Sequence, residues 1–232
     1  MTQRVIQMGE ESRTVFNVGE PGVENILNTN LMSLEEINKS LNFELKEKEF
    51  AVVTYHPETI CDIPPREQIK ILLDFIGKHP ELNYIITKSN IDEGGDLINE
   101  YIEEWSKSKD NVKFVASLGR IRYLSCVKHA LLVIGNSSSG LLEVPYLLTP
   151  TINIGNRQQG RECEASVITC KLEAHAIEEA FKLAKSKPCT KDELNFVYGT
   201  GDTSNSVVEQ IIKSLKGKNV SKKKIFNVLE IK

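Results

Sequence analysis

LLVIGNSSSGLLEV, residues 131–144, is the stretch on which the reading of this chain turns. Its first five residues are continuously apolar, as expected of a strand covered on both faces. At Asn136 the run breaks into three serines and a glycine, and apolar residues then resume around one acid, Glu143. A buried strand, a turn of small polar residues and a helix start form the first half of a βαβ unit.

Working outward, the same alternation recurs. FAVVTYH (50–56), NYIITKS (83–89), NVKFVAS (111–117) and TINIG (151–155) read as short buried strands. Between them, Pro64 and Pro65 open a helix whose apolar positions 69, 72, 73 and 76 share one face. Residues 96–108 read as a helix with Leu97, Ile98, Tyr101, Ile102 and Trp105 on its inner side. Residues 121–130 and 140–148 fill the remaining gaps as helices, with Pro145 expected to distort the second. Residues 172–186 form an amphipathic helix, and 204–217 a last one capped by Ser204 or Asn205. The fold class is α/β, a mostly parallel sheet with helices on both faces. The first 48 residues fit poorly. They offer a helix-like start, a short strand at TVFNVG (14–19) and a helix within LMSLEEINKSLNFEL (31–45). Such pieces cannot bury their apolar faces without neighbours.

Composition narrows the function classes. The 232 residues carry a net charge of −3, which gives no strong field for nucleic acid or anionic membrane. The basic run Lys222-Lys223-Lys224 reads as a solvated tail. No apolar run approaches the ~20 residues of a membrane span, and Met1 to Arg4 lead into no signal-peptide core. Five cysteines without metal-type spacing read as reduced, mostly buried thiols of a cytoplasmic protein.

In open α/β sheets ligands bind beyond the carboxyl ends of the strands, so the residues following each strand are the candidates. His56 ends the first strand and faces the crevice, or is a satisfied structural histidine. SNIDEGG (89–95) follows the second, and Leu118-Gly119-Arg120 with Tyr123 the third. Tyr123 backs a flat base or is a core aromatic. Ser137, Ser138, Ser139 and Gly140 open a helix whose unpaired N–H groups suit a phosphate, although a plain serine cap would also account for one serine. Glu143, about a turn on, could accept from two vicinal ribose hydroxyls. Arg157 and Arg161 sit in a glycine-flanked loop within reach of a diphosphate, or are ordinary surface arginines. Together they describe a nucleoside-diphosphate site.

These blocks resemble a known family. VIGNSSSGLLEVPYLLTPTINIGNRQQGRE (133–162), VTYHPET (53–59) and SNID (89–92) are similar, in order, to signature regions of UDP-N-acetylglucosamine 2-epimerases. HPET and NSSSG look like the hydrolysing branch, which converts UDP-N-acetylglucosamine and water into N-acetylmannosamine and UDP for sialic acid biosynthesis. The resemblance implies a Rossmann-like sheet forming the C-terminal half of a two-domain GT-B-like enzyme. It assigns Ser137 and Ser138, with Ser139 and Gly140, to the diphosphate, Glu143 to the ribose, and the Leu118 backbone with Tyr123 to the uracil. His56, Asn90 and Arg157 would complete the phosphate shell, and His56 would assist departure of the diphosphate. The reaction it implies is elimination of UDP to a 2-acetamidoglucal followed by hydration, with no metal or other cofactor.

The resemblance also implies that most of a first domain, with its acid–base residues, is missing. Residues 1–30 correspond to a remnant of that domain, 31–48 to a connecting helix, 49–203 to the UDP-binding domain and 204–232 to a terminal helix and basic tail. The expected partners are UDP or a UDP-sugar, the missing domain in cis or as a separate chain, and further copies in a homo-oligomer. No nucleic acid or membrane is expected as a partner. Two other readings stand beside this one: a UDP-binding module or split-enzyme subunit without catalysis, and half of a GT-B glycosyltransferase.

Overall fold

The computed structural model describes residues 2–58, 60–90, 93–187 and 189–216. The basic run at 222–224, Thr59 of HPET, and Ile91 and Asp92 of SNID lie outside them. The chain divides into two units. The smaller joins residues up to Leu27 to those from Tyr198 onward, and the larger runs from Asn28 to Val197.

The smaller unit holds α1 (Thr2–Gln7) and α2 (Pro21–Leu27). The strand expected at 14–19 does not form. Ser12–Thr14 is a single 3₁₀ turn and the following residues are irregular. β-branched residues favour a strand only where a neighbour completes the ladder, and no strand of the described residues pairs with this segment.

In the larger unit, α3 (Leu34–Leu41) starts with a capping box. Ser33 Oγ accepts from the Glu36 N–H, and the Glu36 carboxylate accepts from the Ser33 N–H at 2.8 Å. The sheet comprises β1 (Phe50–Thr54), β2 (Asn83–Thr87), β3 (Val112–Val115), β4 (Leu132–Gly135), β5 (Thr151–Ile154) and β6 (Val167–Cys170). All five pairings are parallel. Crossovers are made by α4 (Pro65–Gly77), α5 (Gly95–Ser106), α6 (Gly119–His129), and a single α turn, α7 (Ser139–Leu142), continued by a 3₁₀ turn over Val144–Leu147. Pro145 falls in that 3₁₀ turn, the distortion expected of it. α8 (Ala174–Ser186) follows β6. α9 (Thr203–Lys216) belongs to the smaller unit; it starts before Ser204 and Asn205, so neither is its cap.

The continuous apolar runs serve two cores. Along β1, Ala51 and Val53 enter the core formed with α4, α5 and α8, including Ile69, Leu73, Ile98 and Phe181. Phe50 and Val52 point the other way, into the core with Ile37, Leu41 and Val127 of α3 and α6. Side chains alternate faces along a strand, so a strand covered on both sides must be apolar throughout. On α5, Ile98 and Ile102 are buried, but Leu97 is exposed and does not join the inner face. Of the cysteines only Cys126 is fully buried, while Cys163 is exposed. Among the described residues no helix is long and apolar enough to cross a membrane.

The strand order is β3-β2-β1-β4-β5-β6. The chain steps outward from β1 to β3, then returns to the other side of β1. The order reverses between β1 and β4, and the helices after those strands leave a crevice at their carboxyl ends. This is a Rossmann-like sheet.

Candidate functional site

β1 ends at Thr54 and β4 at Gly135, adjacent in register. Gly135 has φ +142°, and a Cβ there would lie 1.9 Å from the Thr54 carbonyl oxygen. Only glycine lets the two strands stay paired while the chain turns into the NSSSG segment.

Asn136 follows and is fully buried. Its Oδ1 accepts from the His56 N–H and its Nδ2 donates to the His56 carbonyl, both at 2.8 Å. Its own N–H donates to Thr54 O, and its carbonyl accepts from Gln158 Nε2 at 2.8 Å and Arg157 Nη1 at 3.3 Å. One side chain and its backbone therefore fix the ends of β1 and β4 and the loop after β5. His56, half-buried, adds the end of β2: the Asn90 N–H donates to its Nδ1 at 3.1 Å, and Ser89 Oγ lies 3.2 Å from the same nitrogen.

The serines do not act as a conventional cap. Ser138 stands at the N-cap of α7 without a side-chain hydrogen bond to the helix. The first N–H groups used within the turn are those of Gly140 and Leu141. Among the described residues, no hydrogen bond engages the N–H groups of Ser137, Ser138 and Ser139. Successive unpaired N–H groups form an anion-binding arrangement. Because α7 is only four residues long, these local donors, rather than a long helix dipole, supply the attraction. Gly140 is required for packing: a Cβ would meet Thr151 Cγ2 at 2.8 Å, and Thr151 Oγ1 donates to the Gly140 carbonyl.

A second group adjoins through Ser139. Its Oγ lies beside the Tyr123 hydroxyl, and both are buried without a partner in hydrogen-bonding geometry. Burial pushes the Tyr123 phenol up to about 12, and the Glu143 carboxylate nearby adds to the rise. The Tyr123 ring packs against the core of α3 and α6. Glu143 is half-buried at the C-cap of α7. Leu118 is buried at the start of α6, and its carbonyl accepts from Arg122 Nε at 3.1 Å. Leu118 and Tyr123 share the core that α6 forms with α3.

Glu58, in the HPET block, was not among the residues expected to act. Gly155 has φ +77°, and the Glu58 carboxylate occupies the space a Cβ would need. Glu58 Oε1 accepts from the Asn156 N–H at 2.9 Å. Gln68, fully buried, holds the Glu58 backbone by accepting from its N–H and donating to its carbonyl. The loop after β1 thus clamps the loop that carries Arg157. Between them lies a cavity of about 650 Å³, lined by Pro57, Glu58, Glu93, Asn156, Arg157 and Arg161 among others. Among the described residues, no group of three His, Cys, Asp or Glu side chains is placed to hold a metal ion.

Known proteins share the sequence pattern and the fold of this chain. The sequence model of the family described as UDP-N-acetylglucosamine 2-epimerase matches residues 1–212. A Campylobacter jejuni relative named GDP/UDP-N,N'-diacetylbacillosamine 2-epimerase (hydrolyzing) is 38% identical over 186 residues, 80% of this chain and 48% of the relative. The Escherichia coli polysialic acid biosynthesis protein P7 is 37% identical over 186 residues, covering 80% and 47%. A Legionella pneumophila UDP-N,N'-diacetylbacillosamine 2-epimerase (hydrolyzing) is 31% identical over 216 residues, covering 92% and 55%. The chain spans about half the length of these curated relatives. In fold it matches UDP-GlcNAc 2-epimerase from Neisseria meningitidis bound to UDP-GlcNAc, with TM-score 0.73, 13% identity, and coverage of 91% of this chain and 59% of that one. The Methanocaldococcus jannaschii UDP-GlcNAc 2-epimerase, in complex with UDP-GlcNAc and UDP, gives TM-score 0.67 at 16% identity, covering 91% and 58%. The chain belongs to the UDP-N-acetylglucosamine 2-epimerase family.

Proposed function

We propose that this chain is the UDP-binding half of a hydrolysing UDP-N-acetylglucosamine 2-epimerase. The observation that carries the reading is that Asn136 bonds both His56 and Arg157 and directly precedes the unpaired N–H groups of Ser137–Ser139, at the point where the strand order reverses. In the proposed complex those N–H groups and the Ser137 and Ser138 hydroxyls hold the diphosphate. His56, Asn90 and Arg157 complete its shell. Glu143 accepts from the ribose hydroxyls, and uracil lies by the Leu118 backbone and Tyr123. Gly140 lets the start of α7 pack closely on Thr151 and so sets the position of the serine N–H groups.

The reaction is elimination and hydration. A base takes the C2 proton while the C1–O bond breaks and UDP leaves, giving a 2-acetamidoglucal. Water then adds to C1 and a proton returns to the opposite face of C2, giving N-acetylmannosamine. Oriented donors on the diphosphate stabilise the leaving group, and His56 is the candidate catalytic residue at that oxygen. Names of the Campylobacter and Legionella relatives favour testing UDP-N,N'-diacetylbacillosamine as an alternative sugar. Nonulosonate supply, sialic acid included, is the pathway consistent with either product. The cytoplasm, where thiols such as the buried Cys126 stay reduced, is its proposed location.

The partner we propose is the other half of the family fold, in cis or as a separate chain, within a homo-oligomer. Exposed apolar residues on α9, Val208, Ile211, Ile212 and Leu215 among them, support an unmet packing requirement in the smaller unit. The acid–base groups for C2 are assigned to that half, so the chain alone should show little or no turnover. Calorimetric titration with UDP tests the binding role. Glu143→Ala should lose on the order of 1.5–3 kcal/mol, the worth of a charge-assisted hydrogen bond. Unchanged affinity in this variant, and in Ser138→Leu, would remove the site assignment.

A further inference from the structure

We infer that Asn99 is a positioning residue that locks the His56 imidazole as its Nε2–H tautomer at the crevice. The inference deepens the proposed function and rests on it only for the identity of the ligand. An amide N–H can donate but not accept, so the 3.1 Å bond from the Asn90 N–H fixes His56 Nδ1 as a bare acceptor. A neutral ring then carries its proton on Nε2. A proton on Nδ1 would face the Asn90 N–H. The Ser89 hydroxyl, 3.2 Å from the same nitrogen, donates in the same sense, and Ser89 is 7% exposed.

Asn99, on α5, holds both donors in place. Its Oδ1 accepts from the Ser89 N–H at 2.7 Å and its Nδ2 donates to the Ser89 carbonyl at 3.4 Å. The pairing repeats, at the end of β2, what Asn136 does for His56 at the end of β1. The start of α5 closes on the same backbone: a Cβ at Gly95 would lie 2.2 Å from the Asn90 carbonyl oxygen. Backbone and ring of His56 are thus held by separate asparagines. Such a ring serves as a hydrogen-bond donor through Nε2 to an anionic leaving oxygen. It cannot take a proton at Nδ1 without breaking the Asn90 bond.

The test is a long-range ¹H–¹⁵N correlation spectrum of the chain labelled with ¹⁵N-histidine. The sequence has four histidines, and His56→Gln identifies the signal. The expected wild-type pattern is an unprotonated Nδ1 and a protonated Nε2. In Asn99→Leu the pattern should move toward an average of two tautomers, and UDP affinity should fall roughly three- to tenfold, the worth of one neutral hydrogen bond. Asn99→Asp keeps the acceptor for Ser89 N–H but sets a carboxylate against the Ser89 carbonyl, and should shift the pattern in the same direction. If Asn99→Leu does not fold, Asn99→Asp supplies the test in its place. A wild-type ring protonated on Nδ1, or an unchanged pattern in a folded Asn99 variant, would overturn the inference. Failure of wild type to bind UDP with the Nε2–H pattern intact would instead refute the proposed function and leave the tautomer assignment standing.

Discussion

Replacing Asn136 by alanine isolates the physical claim that one buried amide holds the crevice together. The change removes two hydrogen bonds of 2.8 Å, one to the His56 N–H and one to its carbonyl. The three main-chain bonds of residue 136 remain. Orphaning a buried polar backbone group costs about 1–3 kcal/mol. His56 is half-buried, so water can re-enter, which puts each group near the low end. The vacated space around a fully buried side chain adds a cavity penalty. The sum is about 2–4 kcal/mol, measurable as a lower urea midpoint at unchanged m, or as a fall in Tm of roughly 5–15 °C for a chain of this size. Asn136→Asp keeps the acceptor but sets a buried carboxylate against the His56 carbonyl. Its cost at neutral pH should be at least as large, and should shrink in acid, where the protonated carboxyl can donate. A loss below about 0.5 kcal/mol in Asn136→Ala, typical of a neutral surface change, would refute the reasoning.

Three further outcomes follow from other parts of the structure. Gly155→Ala should destabilise the chain by about 1–3 kcal/mol in urea unfolding, because its positive φ and the Glu58 carboxylate exclude a Cβ; wild-type stability would contradict this. The Glu178 carboxylate is held below its ordinary value, first by the hydrogen bond from His79 and also by Lys182, against a desolvation penalty. A depressed carboxylate contributes stability above its unfolded pKa and loses it as pH falls through the folded value, so Glu178→Gln should flatten the acid limb of Tm against pH; an unchanged limb would exclude this contribution. Burial pushes the Cys126 thiol up to about 12, so a thiol reagent at neutral pH should label exposed Cys163 in the native chain and Cys126 only after denaturation; rapid native labelling of Cys126 would contradict its burial.

The sequence shows the scaffold well because the scaffold is local in origin. β-branched apolar runs give five of the six strands, and helical spacing in 65–77 and 174–186 gives the helices that cover them. β6 is the exception: VITC (167–170) is four residues long and sits at the sheet edge with its side chains only partly covered, so it carries no continuous apolar signal. TVFNVG misleads for the opposite reason, a strand-like composition without a partner. In the candidate site, the serines, His56 and Arg157 are readable from their places after strands. Asn136, Asn99, Glu58 and Gln68 are not, because their roles come from hydrogen bonds to residues 10 to 98 positions away. Nothing in local spacing marks such bonds. Leu97 shows the same limit on a helix: apolar spacing places it inward, and the packing of α5 leaves it outside.

The most direct test of the central claim is a UDP titration of the ¹⁵N-labelled chain followed by amide chemical shifts. The account predicts saturable binding, with the largest shifts at Ser137, Ser138 and Ser139, whose N–H groups gain phosphate acceptors, and with smaller shifts at His56, Glu143 and Arg157. Saturating UDP that leaves Ser137–Ser139 unmoved, or that moves residues away from the β1–β4 crevice instead, would contradict it.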